Sequence, residues 1–350
     1  MEPLEERLRA FAQDATGGRV TRLDRSATGS SRVTLLVDVE DADGATRELV
    51  VRHDSGDGPL SGTGITLAGE AVVYRALAPH PVRIPRLVAE SGDGRTLLVE
   101  RAVGTDDLAA LSPEERTAVE RDFGRALAEL HAVDPAKLAL PGVARPADAA
   151  DHARLDLARW AGFSRDLVKE PAPFTRFAID WLGASPPERV ERSVLCHGDA
   201  GAGNFLHDAG RVTALVDWEF AHLGDPLDDV AWVFVRSHLL GGDAAPAVGA
   251  WREASGLDLD AAKVGYYCAF VLLRMAVSCE IALGHAARGG GAMDTTTYQL
   301  LLPYLEWLMP QALRRAGCRD AGLDALADAA EARIEAHPVL ANLVRPLATL

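Results

Sequence analysis

The residues of this sequence that are best suited to chemistry lie in the stretch HGDAGAGN, at positions 197–204, and at one position beyond it. Asp199 and Asn204 are five residues apart, and the glycines between them let the backbone turn sharply. Asp217 stands at the end of the apolar run VTALVD, eighteen residues after Asp199. Because Mg²⁺ binds carboxylate and amide oxygens together with substrate phosphates, Asn204 and Asp217 are suited to hold that ion beside the carboxylate of Asp199.

The interval between Asp199 and Asn204 is that of the catalytic loop of protein kinases. In that loop the aspartate takes the proton of the substrate hydroxyl, and the asparagine holds a metal ion. The spacing therefore predicts that Asp199 is a catalytic base and that Asn204 and Asp217 are Mg²⁺ ligands.

Two other hypotheses stay open on the residues alone. A metal-dependent hydrolase would draw on His and Asp side chains of this region, namely His197, Asp199, His207, Asp217 and His222. Zinc sites favour tight local spacings such as H-E-x-x-H, which the sequence lacks, and Asn204 would have no task in such a site. The second hypothesis is a nucleotide-binding protein that has lost its catalytic activity, although the base and both metal ligands are present.

The elements that must position these residues change in character along the chain. The first hundred residues contain short β-rich runs (RVTRLDRSA, RVTLLVDVED and TRELVVRH), then a helix, LAGEAVVYRALAP, and two strands joined by GDG. After Gly104 helices dominate, and the first begins with a Ser112 cap and Pro113 at its first position. These patterns predict an α+β fold with a small antiparallel sheet in lobe 1–101, a largely helical lobe 102–350, and a ligand cleft between them.

The composition argues against several classes of partner. A formal net charge of −15 is unsuited to nucleic acid or an anionic membrane, since both need a basic face. The amino-terminal segment lacks the basic start and apolar core of a signal peptide. The most apolar stretch, 264–284, contains Arg274 and Glu280 and predicts a buried helix rather than a membrane span. The four cysteines show no C-x-x-C pair, which predicts reduced core residues in a cytoplasmic protein.

The segment VLCHGDAGAGNFLHDAGRVTALVDWEFAHLGDPLDDVAW resembles the signature of the aminoglycoside phosphotransferase-like (choline kinase-like) small-molecule kinases. Within them it is most similar to the branch allied to the kinase domains of acyl-CoA dehydrogenase fusion proteins. The resemblance extends over residues of about 25 to 310. It implies a protein-kinase-like two-lobed fold, Mg²⁺, ATP or GTP as donor, and transfer of the γ-phosphoryl group to a hydroxyl of a small molecule.

Carried over position by position, the resemblance gives Asp199 the role of base and makes Asn204 and Asp217 the Mg²⁺ ligands. It implies that His197 braces the loop rather than reacts. Asp225, in GDPLDD, matches a position that stabilises this loop, and we expect it to serve structure rather than to contact substrate.

On the nucleotide side, the hairpin SATGSSRVTLLVDV at positions 26–39 matches the family's single-glycine hairpin over the phosphates. Arg52 stands where kinases usually carry a lysine on the α- and β-phosphates, with Glu70 as its ion-pair partner, and the backbone of LLVERAVG would meet the adenine edge. The residues that these matches predict at the nucleotide are Thr28, Gly29, Ser30, Ser31, Arg52, Glu70, Glu100, Arg101 and Ala102.

The arginine at position 52 is a departure from the usual lysine. The first lysine of the chain is Lys137, so no lysine of the first lobe can take over its task. Because the planar guanidinium binds phosphate in a different geometry from an ammonium group, either Arg52 serves or the phosphates rely on backbone amides.

The acceptor is the least defined part of this prediction. In the family, a helical insert (here about 146–190) and the helices of 240–310 shape the acceptor pocket. The insert carries Trp160, Phe163, Phe174, Phe177 and Trp181. Apolar walls suit a hydrophobic natural product or an acyl-type metabolite better than a polycationic aminoglycoside, so an antibiotic and a metabolite both stay open. Glu219, two positions after Asp217, is expected to approach either the metal or the acceptor.

Overall fold

A computed structural model of the chain describes residues 3–26, 32–56, 58–288 and 295–336. The strands within these ranges are β1 Arg19–Arg25, β2 Val33–Glu40, β3 Thr46–His53, β4 Leu87–Glu90, β5 Thr96–Glu100, β6 Val194–Cys196, β7 Phe205–Asp208, β8 Arg211–Leu215 and β9 His222–Gly224. The helices are α1 Leu4–Thr16, α2 Leu67–Leu77, α3 Pro113–His131, α4 Asp151–Leu167, α5 Pro173–Ala184, α6 Pro226–Leu239, α7 Ala245–Ser255, α8 Ala261–Ala287, α9 Thr296–Arg315 and α10 Ala321–Ala336.

The chain divides into two compact units, each built from separate stretches of sequence. The first contains Met1–Val143, His197–Ala221 and Ala244–Gly256, and the second contains Ala144–Cys196, His222–Asp243 and Leu257–Leu350. The stretch 197–204 and Asp217 belong to the first unit.

A five-stranded antiparallel sheet in the order β1-β2-β3-β5-β4 organises the first unit. Successive side chains of a strand point to opposite faces. On β3 this alternation buries Leu49 and Val51 in one apolar cluster with Leu8 of α1, and it places Arg52 on the other face of the sheet. The residue that should meet phosphate is thereby kept out of that apolar core.

Helix α2 brings a carboxylate into the interior of the first unit. The Thr66 side chain caps the helix by accepting the N–H of Gly69. Leu67, Ala71 and Tyr74 form a buried stripe at helical spacing, and Glu70 lies within that stripe with 1 % of its surface exposed. Such burial costs free energy unless the carboxylate finds a partner.

Helix α3 begins where the sequence predicts. The Ser112 hydroxyl accepts the N–H of Glu115, the Glu115 carboxylate accepts the N–H of Ser112, and Pro113 occupies the first turn. The helix packs closely on α7, because a side-chain carbon at Gly124 would lie 2.0 Å from the carbonyl oxygen of Ala247.

The second unit is centred on α8, whose long apolar sequence is buried as predicted. Of the described residues, this helix alone is long and apolar enough to cross a membrane, and 72 % of its most apolar window is buried inside the protein. Its Arg274 pairs with Asp228 and Asp156, as expected of a buried arginine. All four cysteines are unpaired, and Cys196, Cys279 and Cys318 are buried.

Candidate active site

The HGDAGAGN stretch is a tight turn that requires its first glycine. Gly198 has a φ of +83°, and a side-chain carbon at this position would lie 2.1 Å from the carbonyl oxygen of Phe220. Only glycine fits both constraints. The loop therefore passes directly against the segment that follows Asp217.

His197 braces the loop, as the resemblance implies. Its Nδ1 accepts the backbone N–H of Asp199 at 3.3 Å, and its Nε2 lies 2.9 Å from the carbonyl oxygen of Val216, to which it donates. The ring lies 4.6 Å from that of Trp218 and is 1 % exposed. With both nitrogens engaged by the backbone, the imidazole holds the loop to the segment of Asp217.

Asn204 orients the carboxylate of Asp199. Its side-chain NH₂ group donates to Asp199 Oδ2 at 2.6 Å and to the Asp199 carbonyl oxygen at 2.8 Å. The amide oxygen is therefore the atom of Asn204 that suits a cation. The N–H of Val216 donates to the Asn204 carbonyl oxygen at 3.0 Å, so the residue before Asp217 is bonded to the loop at both of its polar backbone atoms.

Asp217 adopts a backbone conformation that is uncommon for a residue with a side chain. Its φ is +68°, in the left-handed region. Arg52 Nη2 donates to Asp217 Oδ1 at 2.8 Å, and Arg52 Nη1 donates to Glu70 Oε2. The expected ion pair between Arg52 and Glu70 is present, and Asp217 joins it. Strained backbone that the surrounding structure maintains is typical of functional sites.

Three carboxylates meet at this place. One oxygen each of Glu70, Asp217 and Glu219 lie within 4.8 Å of one another. Burial, with the neighbouring carboxylates, raises the pKa of Glu70 to about 7 and that of Glu219 to about 8. Burial would also raise the pKa of Asp217, but the Arg52 guanidinium outweighs it and holds that pKa below its ordinary value.

The donor set fits a hard divalent cation. Acidic oxygens converge, and Glu70 Oε1 is buried with no hydrogen-bond partner among the residues that the structure describes. Glu219 therefore lies in the carboxylate cluster that could hold a cation, whereas the sequence predicted either the metal or the acceptor as its neighbour. The close approach of Glu70 was not predicted, because only its pairing with Arg52 follows from the motif.

Other predicted positions lie outside this cluster. Thr28, Gly29, Ser30 and Ser31 lie outside the described residues. At the predicted adenine edge, the N–H groups of Glu100 and Arg101 already donate to the carbonyl oxygens of Arg86 and Glu48. The Arg101 side chain also bonds Asp38 and Glu48. Two of the three residues predicted at the adenine edge thus have backbone N–H groups that are already bonded within the protein.

Asp225 serves the structure of the second unit. Its side chain caps α6 by accepting the N–H of Leu227 at 2.9 Å, and it pairs with Lys263 at 2.8 Å. Asp229 is fully buried on the same helix.

The three histidines of the hydrolase hypothesis, His197, His207 and His222, make hydrogen bonds within the described structure. Within the described ranges, the cluster in which three His, Cys, Asp or Glu ligand atoms converge contains no histidine. His207 Nε2 lies 3.3 Å from the carbonyl oxygen of Asp107, and His222 Nε2 lies 3.1 Å from Asp228 Oδ2. Together with His197, these are structural hydrogen-bonding residues.

Comparison with known proteins decides the family. Residues 29–268, well over half of the chain, match the model of the phosphotransferase enzyme family. The chain belongs to that family. The acyl-CoA dehydrogenase family member 10 of Mus musculus is 27 % identical over 206 residues, which are 56 % of this chain and 19 % of that protein. Member 11 of Homo sapiens is 28 % identical over 126 residues, 35 % of this chain and 16 % of that protein.

The chain thus spans less than a fifth of either of these two relatives. Viomycin phosphotransferase of Streptomyces vinaceus is 28 % identical over 217 residues, which are 53 % of this chain and 68 % of that enzyme. These matches confirm the resemblance to the aminoglycoside phosphotransferase-like kinases and the branch allied to acyl-CoA dehydrogenases. They also agree with the family match over residues 29–268.

Solved structures confirm the α+β fold of this family. Macrolide 2′-phosphotransferase MphH of Brachybacterium faecium superposes with a TM-score of 0.58 and 22 % identity, covering 85 % of this chain and 98 % of that one. Aminoglycoside phosphotransferase APH(4)-Ia, in a ternary complex with ADP and hygromycin B, gives a TM-score of 0.55 and 21 % identity, covering 82 % and 99 %.

Proposed function

We propose that this phosphotransferase moves the γ-phosphoryl group of ATP or GTP to a hydroxyl of a small molecule, with Asp199 as the base. The observation that carries the proposal is the bonding of Asn204. Its side chain holds the Asp199 carboxylate, and its backbone holds the segment that ends in Asp217. The proton acceptor and the metal ligands therefore belong to one hydrogen-bonded assembly.

Asp199 is suited to accept the hydroxyl proton of the acceptor. It is half-buried, and the Asn204 amide fixes one of its carboxylate oxygens. A base held in one orientation loses no further rotational freedom when the acceptor arrives, and positioning of this kind, together with electrostatic stabilisation, is what a protein contributes to phosphoryl transfer.

Asn204 and Asp217, with Glu219 nearby, would hold Mg²⁺. When bound, the ion neutralises charge on the phosphates and so lowers the cost of bringing an alcohol oxygen towards them. Arg52 carries a positive charge at the same place, because Glu70 and Asp217 outweigh burial and keep its pKa well above the ordinary value. It can therefore contact the donor phosphates without a lysine.

For the acceptor we propose a neutral or weakly charged hydroxylated compound. Two of the aromatic residues expected to line the pocket, Trp160 and Phe174, are core residues with 1 % and 3 % exposure, which corrects that expectation. Phe163, Phe177 and Trp181 are only half-buried and are the ones left to contact an acceptor. The unpaired cysteines fit a cytoplasmic site of action.

The test is a panel of hydroxylated metabolites and antibiotics incubated with ATP or GTP and Mg²⁺, and read by mass spectrometry. The proposal expects one compound class to gain the mass of one phosphate, with loss of the product when Mg²⁺ is chelated. Nucleotide binding without turnover on any acceptor, and without slow ATP hydrolysis, would support the catalytically inactive nucleotide-binding protein. Hydrolysis of a panel member without nucleotide would support the hydrolase.

A further inference from the structure

A second arginine contacts the carboxylate cluster, and no motif assigns it a role. Arg32 precedes β2, and its side chain is 5 % exposed. Its Nη1 donates to Asp54 Oδ2 at 2.5 Å, while its Nη2 donates to the Ile65 carbonyl oxygen and to Glu219 Oε2, both at 3.2 Å. Its Nε is buried and has no partner among the described residues.

The two arginines divide the three carboxylates between them. Arg52 bonds Glu70 and Asp217, whereas Arg32 bonds Glu219. Carboxylates this close repel one another, and arginine stays protonated at any physiological pH. The guanidinium groups therefore stabilise the cluster in the way that a divalent cation would.

The contacts of Arg32 are unequal. The bond from Nη1 to Asp54 is 2.5 Å long, whereas the bond from Nη2 to Glu219 is 3.2 Å long. A pocket of about 230 Å³ adjoins this group, lined by Arg32, Asp54, Glu219 and several residues between Gly58 and Thr66. The guanidinium can thus release Glu219 while Asp54 retains it, and there is room beside it for another anion.

We propose that Arg32 couples metal binding to nucleotide binding. Without nucleotide it neutralises Glu219 and opposes the entry of a cation. When nucleotide and metal arrive together, Glu219 passes to the cation, and the N–H of Arg32 Nη2 that it releases binds a phosphate oxygen. Arg32 thus positions Glu219 in the absence of nucleotide and binds a phosphate in its presence. This role rests on the proposed function.

Thermodynamic reciprocity makes this coupling measurable. Mn²⁺ alone is titrated by electron paramagnetic resonance, and a fluorescent ADP analogue is titrated with EDTA and with saturating Mg²⁺. The ratio of the two nucleotide dissociation constants is the coupling factor. For Arg32→Met we expect Mn²⁺ alone to bind more tightly and the coupling factor to fall by about tenfold, within the usual range of such couplings.

The matched control is Arg95→Met. The Arg95 Nε donates to the carbonyl oxygen of the same Asp54 at 2.9 Å, but its exposed side chain makes no contact with Glu219. It should leave both measurements unchanged. If Arg32→Met does not fold, Arg32→Lys replaces it, because an ammonium group cannot bridge Asp54 and Glu219 as the fork does. We then expect a smaller decrease of the same sign.

Three results separate this proposal from the proposed function. A coupling factor in Arg32→Met or Arg32→Lys equal to that of the wild type overturns the role of Arg32. An equal decrease of the coupling factor in Arg95→Met also overturns the role of Arg32, since the effect would then follow from the loss of any positive charge near Asp54. Failure of the wild type to bind nucleotide under any condition contradicts the proposed function itself.

Discussion

The second unit buries one arginine whose carboxylate partners pair with it fully, whereas the first unit places two mostly buried arginine side chains in a carboxylate cluster whose hydrogen bonding is incomplete. Arg274 donates to both oxygens of Asp228 at 2.6 Å and to Asp156 at 2.9 Å, and His222 bonds Asp228 as well. Burial alone would raise the pKa of Asp228, but Arg274 and His222 hold it well below its usual range.

Two of the three carboxylates in the cluster of the first unit have pKa values shifted in the opposite direction. The pKa values of Glu70 and Glu219 are raised, Glu70 Oε1 and Arg32 Nε are buried without partners among the described residues, and Asp217 keeps a left-handed backbone. A buried ion network that is fully paired needs no further charge. Incomplete pairing with perturbed pKa values is instead typical of a site that a ligand completes.

Asp217→Asn should give the largest effect on activity with the smallest effect on folding. Asparagine tolerates a positive φ, so the backbone is kept, and Arg52 still has Glu70 as a partner. We expect kcat to fall by at least about 10²–10³-fold, as when one group that stabilises transition-state charge is removed. The free energy of unfolding, measured in urea, should change by less than about 1 kcal/mol. A loss of stability with full activity would show that Asp217 supports the fold and takes no part in catalysis.

Arg274→Met should give the reverse pattern in the second unit. The variant leaves Asp228 buried without its main partner, which costs about 3–5 kcal/mol in comparable cases. Urea unfolding measures this, and the control Arg159→Met should lose under about 1 kcal/mol, because Arg159 is partly exposed and lies 3.8 Å from Asp156. If both variants lost the same free energy of unfolding, Arg274 would contribute no more to stability than a partly exposed arginine does.

The pairing of His222 with Asp228 in the second unit can be tested by the pH dependence of the free energy of unfolding. Burial lowers the pKa of His222, but Asp156 and Asp228 outweigh both burial and Arg274 and raise it above its ordinary value. Its stabilisation is therefore complete below the unfolded pKa of about 6.5 and is lost as pH rises through the folded value. The free energy of unfolding should fall as the pH rises above about 6.5, and it should fall less in His222→Gln. Identical slopes would contradict the pairing.

The local elements could be predicted from sequence because their signals are local. The Ser112 cap, the alternation of β3 and the buried helix α8 each depend on residues within a few positions. The loop of Asp199 and Asn204 was found for the same reason, since its bonds join residues five apart.

The parts of the site that could not be predicted from the sequence depend on contacts between residues far apart in the chain. Arg32 and Glu219 are 187 residues apart, and no periodicity in either segment signals their contact. Trp160 and Phe174 lie in the helical insert that shapes the acceptor pocket in the family, and an aromatic residue there suits a pocket wall as well as a core. Only the packing of the helices of the second unit, which leaves both residues nearly unexposed, decides between the two.

The most direct test of the whole account is to separate catalysis from binding at Asp199. Once an acceptor is known, Asp199→Ala is compared with Asp208→Asn, an exposed aspartate at the end of the neighbouring strand β7. We predict that Asp199→Ala lowers kcat by about 10²–10⁴-fold while the dissociation constant of the nucleotide stays within about twofold, and that Asp208→Asn changes neither. Wild-type turnover in Asp199→Ala would contradict the assignment of this loop as the catalytic centre.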